Sequence, residues 1–212
     1  MDKRLIILAT TILILAIISR FIFLDLRPLH HDEGVNYFFA NGILEGHGYK
    51  YDPTNYHGPL YFYLIFFSFL IFGISEFSLR FPAAVFGISI ILFGLFLKRK
   101  EFNGIVAGIF LLLSPSIMFY SRYSIHEIAL VFFSLSSVYA FSMIIEKRNL
   151  DYLPLFALSL GAMLILKETA IIMIFIFIIM GAINYHKTLR VFNSTLKCGV
   201  CRGFVRTGRN LQ

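Results

Sequence analysis

Two histidines and two acids stand side by side in "HHDEG", His30 to Gly34, and a third histidine, His57, precedes a Gly-Pro in "YHGPL". Adjacent acids repel and raise one another's pKa, while histidines titrate near neutrality. A carboxylate in such company can act as a general base or join a cation site. Helical spacing over 32–44 puts Asp32 and Asn36 on one face and Glu33 and Tyr37 on another, so only one acid of the pair need enter a cleft. Further along come "SLRFP" with Arg80, "SRYSIHEI" with Arg122, His126 and Glu127, and "LKETA" with Lys167 and Glu168. If the second of these is helical, Arg122 and His126 share a face. Each motif alone also reads as interface anchoring, snorkelling or a local ion pair, and "HHDE" as a solvated loop. Together they suit an active site. Carboxylates can deprotonate an acceptor hydroxyl, and Arg and Lys can hold a phosphate, one as a planar fork and the other as a point charge.

These groups must be positioned by membrane helices. Of the 212 residues, 58% are hydrophobic and only 15% charged, with 25 Phe and no Trp. Apolar runs cover 5–24, 59–75, 82–97, 104–120, 128–145, 152–166 and 169–185, the pattern of a polytopic membrane protein. The first run follows "MDKR" and lacks a small-x-small cleavage site, so it reads as a retained span rather than a signal peptide. If all seven runs cross, "KRK", "EKR" and "HKTLR" fall outside, against the positive-inside bias. If 59–75 instead lies on the outer surface as an interfacial helix, these clusters join "MDKR" in the cytoplasm. The expectation is therefore a multi-pass cell-membrane protein with six spans and a cytoplasmic N-terminus. Its outer loop, 25–81, and the connections holding Arg122, His126, Glu127 and Lys167 then share the outer face. Pro82 is expected to start a span, because Pro suits a first helical turn.

The net charge of +7 is spread in short groups between apolar runs, which argues against a nucleic-acid partner. Cys198 and Cys201 form one C-x-x-C with no second pair, so a zinc site lacks ligands, and no thioredoxin-like context supports redox chemistry. His30, His31, Asp32 and Glu33 can supply ligands to a divalent metal, although adjacent residues rarely all reach one ion.

The chain resembles the polyprenyl-phosphate-sugar-dependent membrane glycosyltransferases of the GT-C fold class, which include protein O-mannosyltransferases and lipid A aminoarabinose transferases. The resemblance rests on the acidic pair after the first span, on "YHGPLYFYL", on "FGISEFSLRFPAAVFGI", and on "SPSIMFYSRYSIHEIALVFF". It covers about 5–185. The wording of "HHDEG", "YDPTNYHGP" and "LKETA" is most similar to an archaeal subgroup described as flippase-activity-associated, and the high Ile, Phe and Lys usage is compatible with an archaeal source.

The resemblance implies an all-α integral membrane module with juxtamembrane helices in the first outer loop. It also implies inverting transfer of a sugar from a polyprenyl (dolichyl) phosphate to an acceptor hydroxyl on a protein, lipid or glycan at the outer face. Asp32 matches the family's catalytic acid, with Glu33 in support and Glu127 at a position that is often Asp. Arg80, Arg122 and Lys167 would hold the lipid phosphate, and His57 would line the cleft. Such enzymes usually run to some 400 residues or more. The tail 188–212 changes character abruptly and reads as an interrupted reading frame or a cytoplasmic tail; under the first reading the acceptor-binding half is missing here or carried on a separate chain. The competing readings are a non-enzymatic protein that binds or flips polyprenyl-phosphate sugars, a small transporter, and an inactive fragment. A transporter would predict mid-span charges and an internal repeat; 82–97, 104–120, 128–145 and 169–185 lack charges and no repeat is seen.

Overall fold

The computed structural model describes residues 3–53, 57–97, 103–147 and 149–184. The basic tail and the Cys198–Cys201 pair lie outside the described residues. The chain is all-α, as expected. In order come α1 (Lys3–Phe21), α2 (His31–Leu44), α3 (Leu60–Phe72), α4 (Glu76–Phe96), α5 (Gly104–Leu113), α6 (Pro115–Tyr120), α7 (His126–Lys147), a 3-10 turn (Leu150–Tyr152), α8 (Leu153–Leu166) and α9 (Ala170–Ile183). Among the described residues the β geometry is confined to one antiparallel bridge between His57 and Lys167. Helices α1, α4 and α7, with 19, 21 and 22 residues, are long and apolar enough to cross a bilayer. Helices α3, α5 and α9 and the stretch Leu150–Leu166 are apolar but shorter.

The chain divides into two compact units. The first, Met1–Phe133 with Ala162–Glu168, carries all the candidate site residues. Within it α4 packs against α1, α3 and α5, and α2 packs against α3. Its largest buried cluster joins Ala40, Tyr61, Ile65, Phe69, Leu79, Ala129 and Leu166, with Tyr37 packed against it. In the second unit, Ser134–Gly161 with Thr169 onward, Phe141, Phe156 and Phe177 form an aromatic trio with centroids 5.1–5.6 Å apart.

Two helix boundaries differ from the sequence expectation, both through proline. The run 104–120 is divided because the residue before Pro115 is pushed out of the helical region. Ser114 adopts an extended ψ of 118° and its hydroxyl accepts from the Ile117 amide, starting α6. Pro82 does not start a span. Helix α4 begins at Glu76, capped by Ser75, and Pro82 lies inside it. An internal proline deprives the carbonyl four residues earlier of its partner. That carbonyl belongs to Ser78, and the Ser68 hydroxyl of α3 donates to it at 2.6 Å. The helix thus runs on past its proline at the cost of a tie to its neighbour.

Candidate functional site

The N-terminus of α2 sends its two acids in opposite directions. Glu33 turns inward and Asp32 outward, as the 100° step between successive helical residues requires. Glu33 and Arg80 are both fully buried. The Glu33 carboxylate accepts from Arg80 Nε at 2.8 Å and Nη2 at 2.9 Å, from the Ser124 amide at 3.0 Å and from the His30 amide at 3.2 Å. The last bond also caps α2, whose first turn favours acidic residues. Burial alone would raise the pKa of Glu33. The hydrogen bonds from Arg80, Ser124 and His30 and the charge of Arg80 outweigh it and hold the carboxyl below its ordinary range.

Arg80 spends its remaining N–H groups on the Leu24, Arg27 and Pro28 carbonyls and on Glu76. The carbonyls belong to the segment between α1 and α2, so Arg80 ties that connection to α4. The resemblance implies a phosphate contact for Arg80; here the side chain is buried and its donors meet Glu33, Glu76 and those three carbonyls. Glu33, expected in support of Asp32, has both oxygens engaged inside the protein.

Ser124 is the hub that sequence reasoning missed. Its amide meets Glu33, its hydroxyl donates to the Leu79 carbonyl at 2.8 Å, and its carbonyl accepts from Asn36 Nδ2 at 2.6 Å. Residues 121–125 are consequently a fixed turn rather than a helix, and α7 starts at His126. Arg122 and His126 therefore share no helical face. Arg122 instead donates to the Ser19 and Phe23 carbonyls at 2.7 and 3.0 Å, capping the end of α1. Burial, with the charges of Arg27 and Arg80, lowers its pKa from the ordinary arginine value. Arg122, expected to hold the lipid phosphate, is not among the residues that line the cavity beside Asp32.

The remaining nominated residues converge. A cavity of about 530 Å³ is lined by Asp32, Asn36, His57, His126, Glu127 and Lys167 on its polar walls. Phe119, Tyr120 and Tyr123 supply aromatic surface, and His30, His31, Val35 and Ile125 complete it. Its size falls within the roughly 300–1,000 Å³ of small-molecule sites. Asp32 is 60% exposed. Phe119 and Tyr123 stack at 5.3 Å, and the edge of Tyr123 meets His30 at 5.2 Å. Burial and the charges of Asp32 and Glu33 raise the pKa of the Tyr123 phenol, which therefore stays neutral.

His57 and Lys167 reach the cavity together because their backbones pair. Gly58 donates its amide to the Leu166 carbonyl at 3.0 Å, and Tyr49 Oη donates to the His57 carbonyl at 2.7 Å. Tyr51 adds a hydrogen bond to Glu168. A side chain at position 58 would overlap the Ile165 carbonyl, so the approach requires glycine. Lys167 Nζ donates to Glu127 Oε1 at 2.8 Å, which fixes the ammonium at the cavity wall.

Among the described residues no group of three or more His, Cys, Asp and Glu is arranged to hold a metal ion. The oxygens of Glu33, one of the four residues considered for a divalent cation, are already engaged. The chemistry of this donor set is that of a carboxylate, an ammonium and two imidazoles around a space open to a polar ligand.

No curated protein and no solved structure gives a significant match to the chain. A family model does: that of the dolichyl-phosphate-mannose-protein mannosyltransferases matches residues 56–201, more than half of the sequence, including His57, Arg80, Arg122, Glu127 and Lys167, and the chain belongs to that family.

Proposed function

We propose that this protein is a membrane mannosyltransferase that moves mannose from dolichyl-phosphate mannose to a hydroxyl of an acceptor protein, with the cavity beside Asp32 as the reaction site at the outer face. The observation that carries this reading is the presence, within one cavity, of an exposed carboxylate on α2 and an ion-paired ammonium after α8. Family membership supplies the donor class.

In this mechanism the acceptor oxygen attacks C1 of the mannosyl group while its proton passes to the Asp32 carboxylate. The bond from C1 to the phosphate oxygen breaks as the new bond forms, and its electron pair leaves with dolichyl phosphate. A single displacement inverts the anomeric centre. Lys167 meets the charge that grows on the leaving phosphate, and Glu127 keeps the ammonium in place. Arg122 acts through its field rather than by contact, because two of its N–H groups hold the end of α1. Glu33 and Arg80 set the angle at which α2 presents Asp32. Holding reactants in line and stabilising the leaving group carry most of the rate in such a step.

The test is mannosyl transfer from dolichyl-phosphate mannose in membranes. Asp32→Asn should lower the rate by roughly 10²–10⁴, the range of a general base. Lys167→Met should raise KM for the donor and lower kcat. The product's anomeric coupling, read by NMR, should be opposite to that of the donor. An Asp32→Asn variant that transfers at the parent rate rules out the assigned base.

A further inference from the structure

We propose that His126 reads one hydroxyl of the transferred sugar through its Nε2 atom and thereby sets which sugar the cavity accepts. The inference rests on the transfer reading for the identity of the ligand. It stands on three observations within one compact unit.

The first is burial without a partner. His126 is 1% exposed, and Nε2 makes no hydrogen bond among the described residues. Buried polar side-chain atoms are nearly always bonded, so an orphan on a residue that lines a cavity calls for an occupant. The second is that the ring is packed among other rings. His57 lies 4.1 Å from it, Tyr61 4.7 Å and Phe62 5.2 Å between centroids. His126 also opens α7 directly after the turn that Ser124 pins on three sides. The third is placement: His126 lines the same cavity as Asp32 and Lys167.

The chemistry favours a hydroxyl. A neutral imidazole nitrogen either donates or accepts, and a sugar hydroxyl can do both, so it satisfies either tautomer. A phosphate can only accept, and the ammonium of Lys167 offers it a stronger, charge-assisted bond. Phe119, Tyr120 and Tyr123 in the same cavity suit the C–H faces of a pyranose. A site built to bond a hydroxyl rejects the analogue that lacks it, because its own polar group is then left unpaired.

The experiment is binding, independent of turnover. Calorimetric titration of the full chain in nanodiscs uses a short-chain polyprenyl-phosphate mannose and its 2-, 3-, 4- and 6-deoxy analogues, with the parent protein, His126→Phe and His126→Gln. The parent should bind one deoxy analogue roughly ten- to a hundredfold more weakly than mannose. His126→Phe, which keeps the aromatic packing, should bind mannose and that one analogue equally, with the other ratios unchanged. His126→Gln carries an amide in place of the ring nitrogen and should recover part of the discrimination, which also serves if the Phe variant does not fold. A deoxy profile identical in the parent and both variants overturns the inference, as does a parent that binds all analogues alike. Discriminating binding without any transfer would overturn the transfer reading and leave the sugar subsite standing. Transfer with an unchanged deoxy profile would do the reverse.

Discussion

The adjacent acids Asp32 and Glu33 should respond to the same change in opposite ways. Glu33→Gln keeps the volume and removes the charge. Glu33 and Arg80 are both 0% exposed, and the carboxylate accepts four hydrogen bonds. A glutamine oxygen can retain the pair of donors at one position, Arg80 Nε and the Ser124 amide. Its NH₂ group would then face two further donors, Arg80 Nη2 and the His30 amide. The guanidinium would also lose its principal counter-charge, leaving Glu76 at 3.4 Å, itself 38% exposed. Breaking a buried pair by removing one partner costs about 3–5 kcal/mol, and the residual Glu76 contact places this case toward the lower end. For a chain of this size that is a drop of roughly 6–20 °C in melting temperature. Asp32→Asn alters a side chain that is 60% exposed, and such substitutions usually shift stability by about 0.5 kcal/mol or less. The assay heats detergent-solubilised protein and measures the monodisperse fraction by size exclusion, since the chain has no Trp to report unfolding. The expected pattern is an early-melting Glu33→Gln and a parent-like Asp32→Asn that has lost transfer. Equal melting of the two variants, or a Glu33→Gln that melts with the parent, would refute the division of labour.

The same carboxylate predicts a pH dependence. Its pKa is held below the ordinary value of 4.5, so its contribution is fully present above the unfolded value and is lost as pH falls through the folded one; the melting temperature of the parent should fall on acidification through that window, and that of Glu33→Gln should be flatter. Gly58→Ala should separate the His57 and Lys167 strands, because the new methyl overlaps a backbone carbonyl that cannot swing aside; a loss of donor affinity larger than that of His57→Ala alone would confirm the clamp, and parent-like affinity would refute it. Ser68→Ala should cost about 1–3 kcal/mol, the penalty of leaving the Ser78 carbonyl unpaired beneath Pro82, and the companion change Pro82→Ala should relieve it by restoring that carbonyl's own helical partner.

Much of the architecture is legible in local sequence, because the signals are local. Apolar runs mark the helices, and helical period alone separates Asp32 from Glu33; the sequence reading misses the break of 104–120 at Pro115, although proline restricts the residue before it. What position 58 requires is less visible: a glycine before a proline reads as a turn, while the close approach of Ile165 comes from a segment more than a hundred residues later. The partners of the arginines are hidden in the sequence for the same reason. Arg80 and Arg122 carry the right chemistry for a phosphate, yet each finds its partners far along the chain, Glu33 at 47 positions and Ser19 at 103. Ser124 has no sequence signature at all, because a serine becomes a hub only when α2 and α4 close on it.

The sequence by itself therefore determined the class of molecule: an all-α membrane chain whose titratable groups gather in a few connections, because hydrophobic periodicity and charge placement are written residue by residue. The tertiary structure alone decided which of those groups face a shared cavity and which are consumed in holding it open. Burial turns Arg80 and Glu33 into scaffold and leaves Asp32, His57, His126, Glu127 and Lys167 around one space. A buried charge must spend its hydrogen bonds on the protein, and only an exposed or unpartnered one has any left for a substrate.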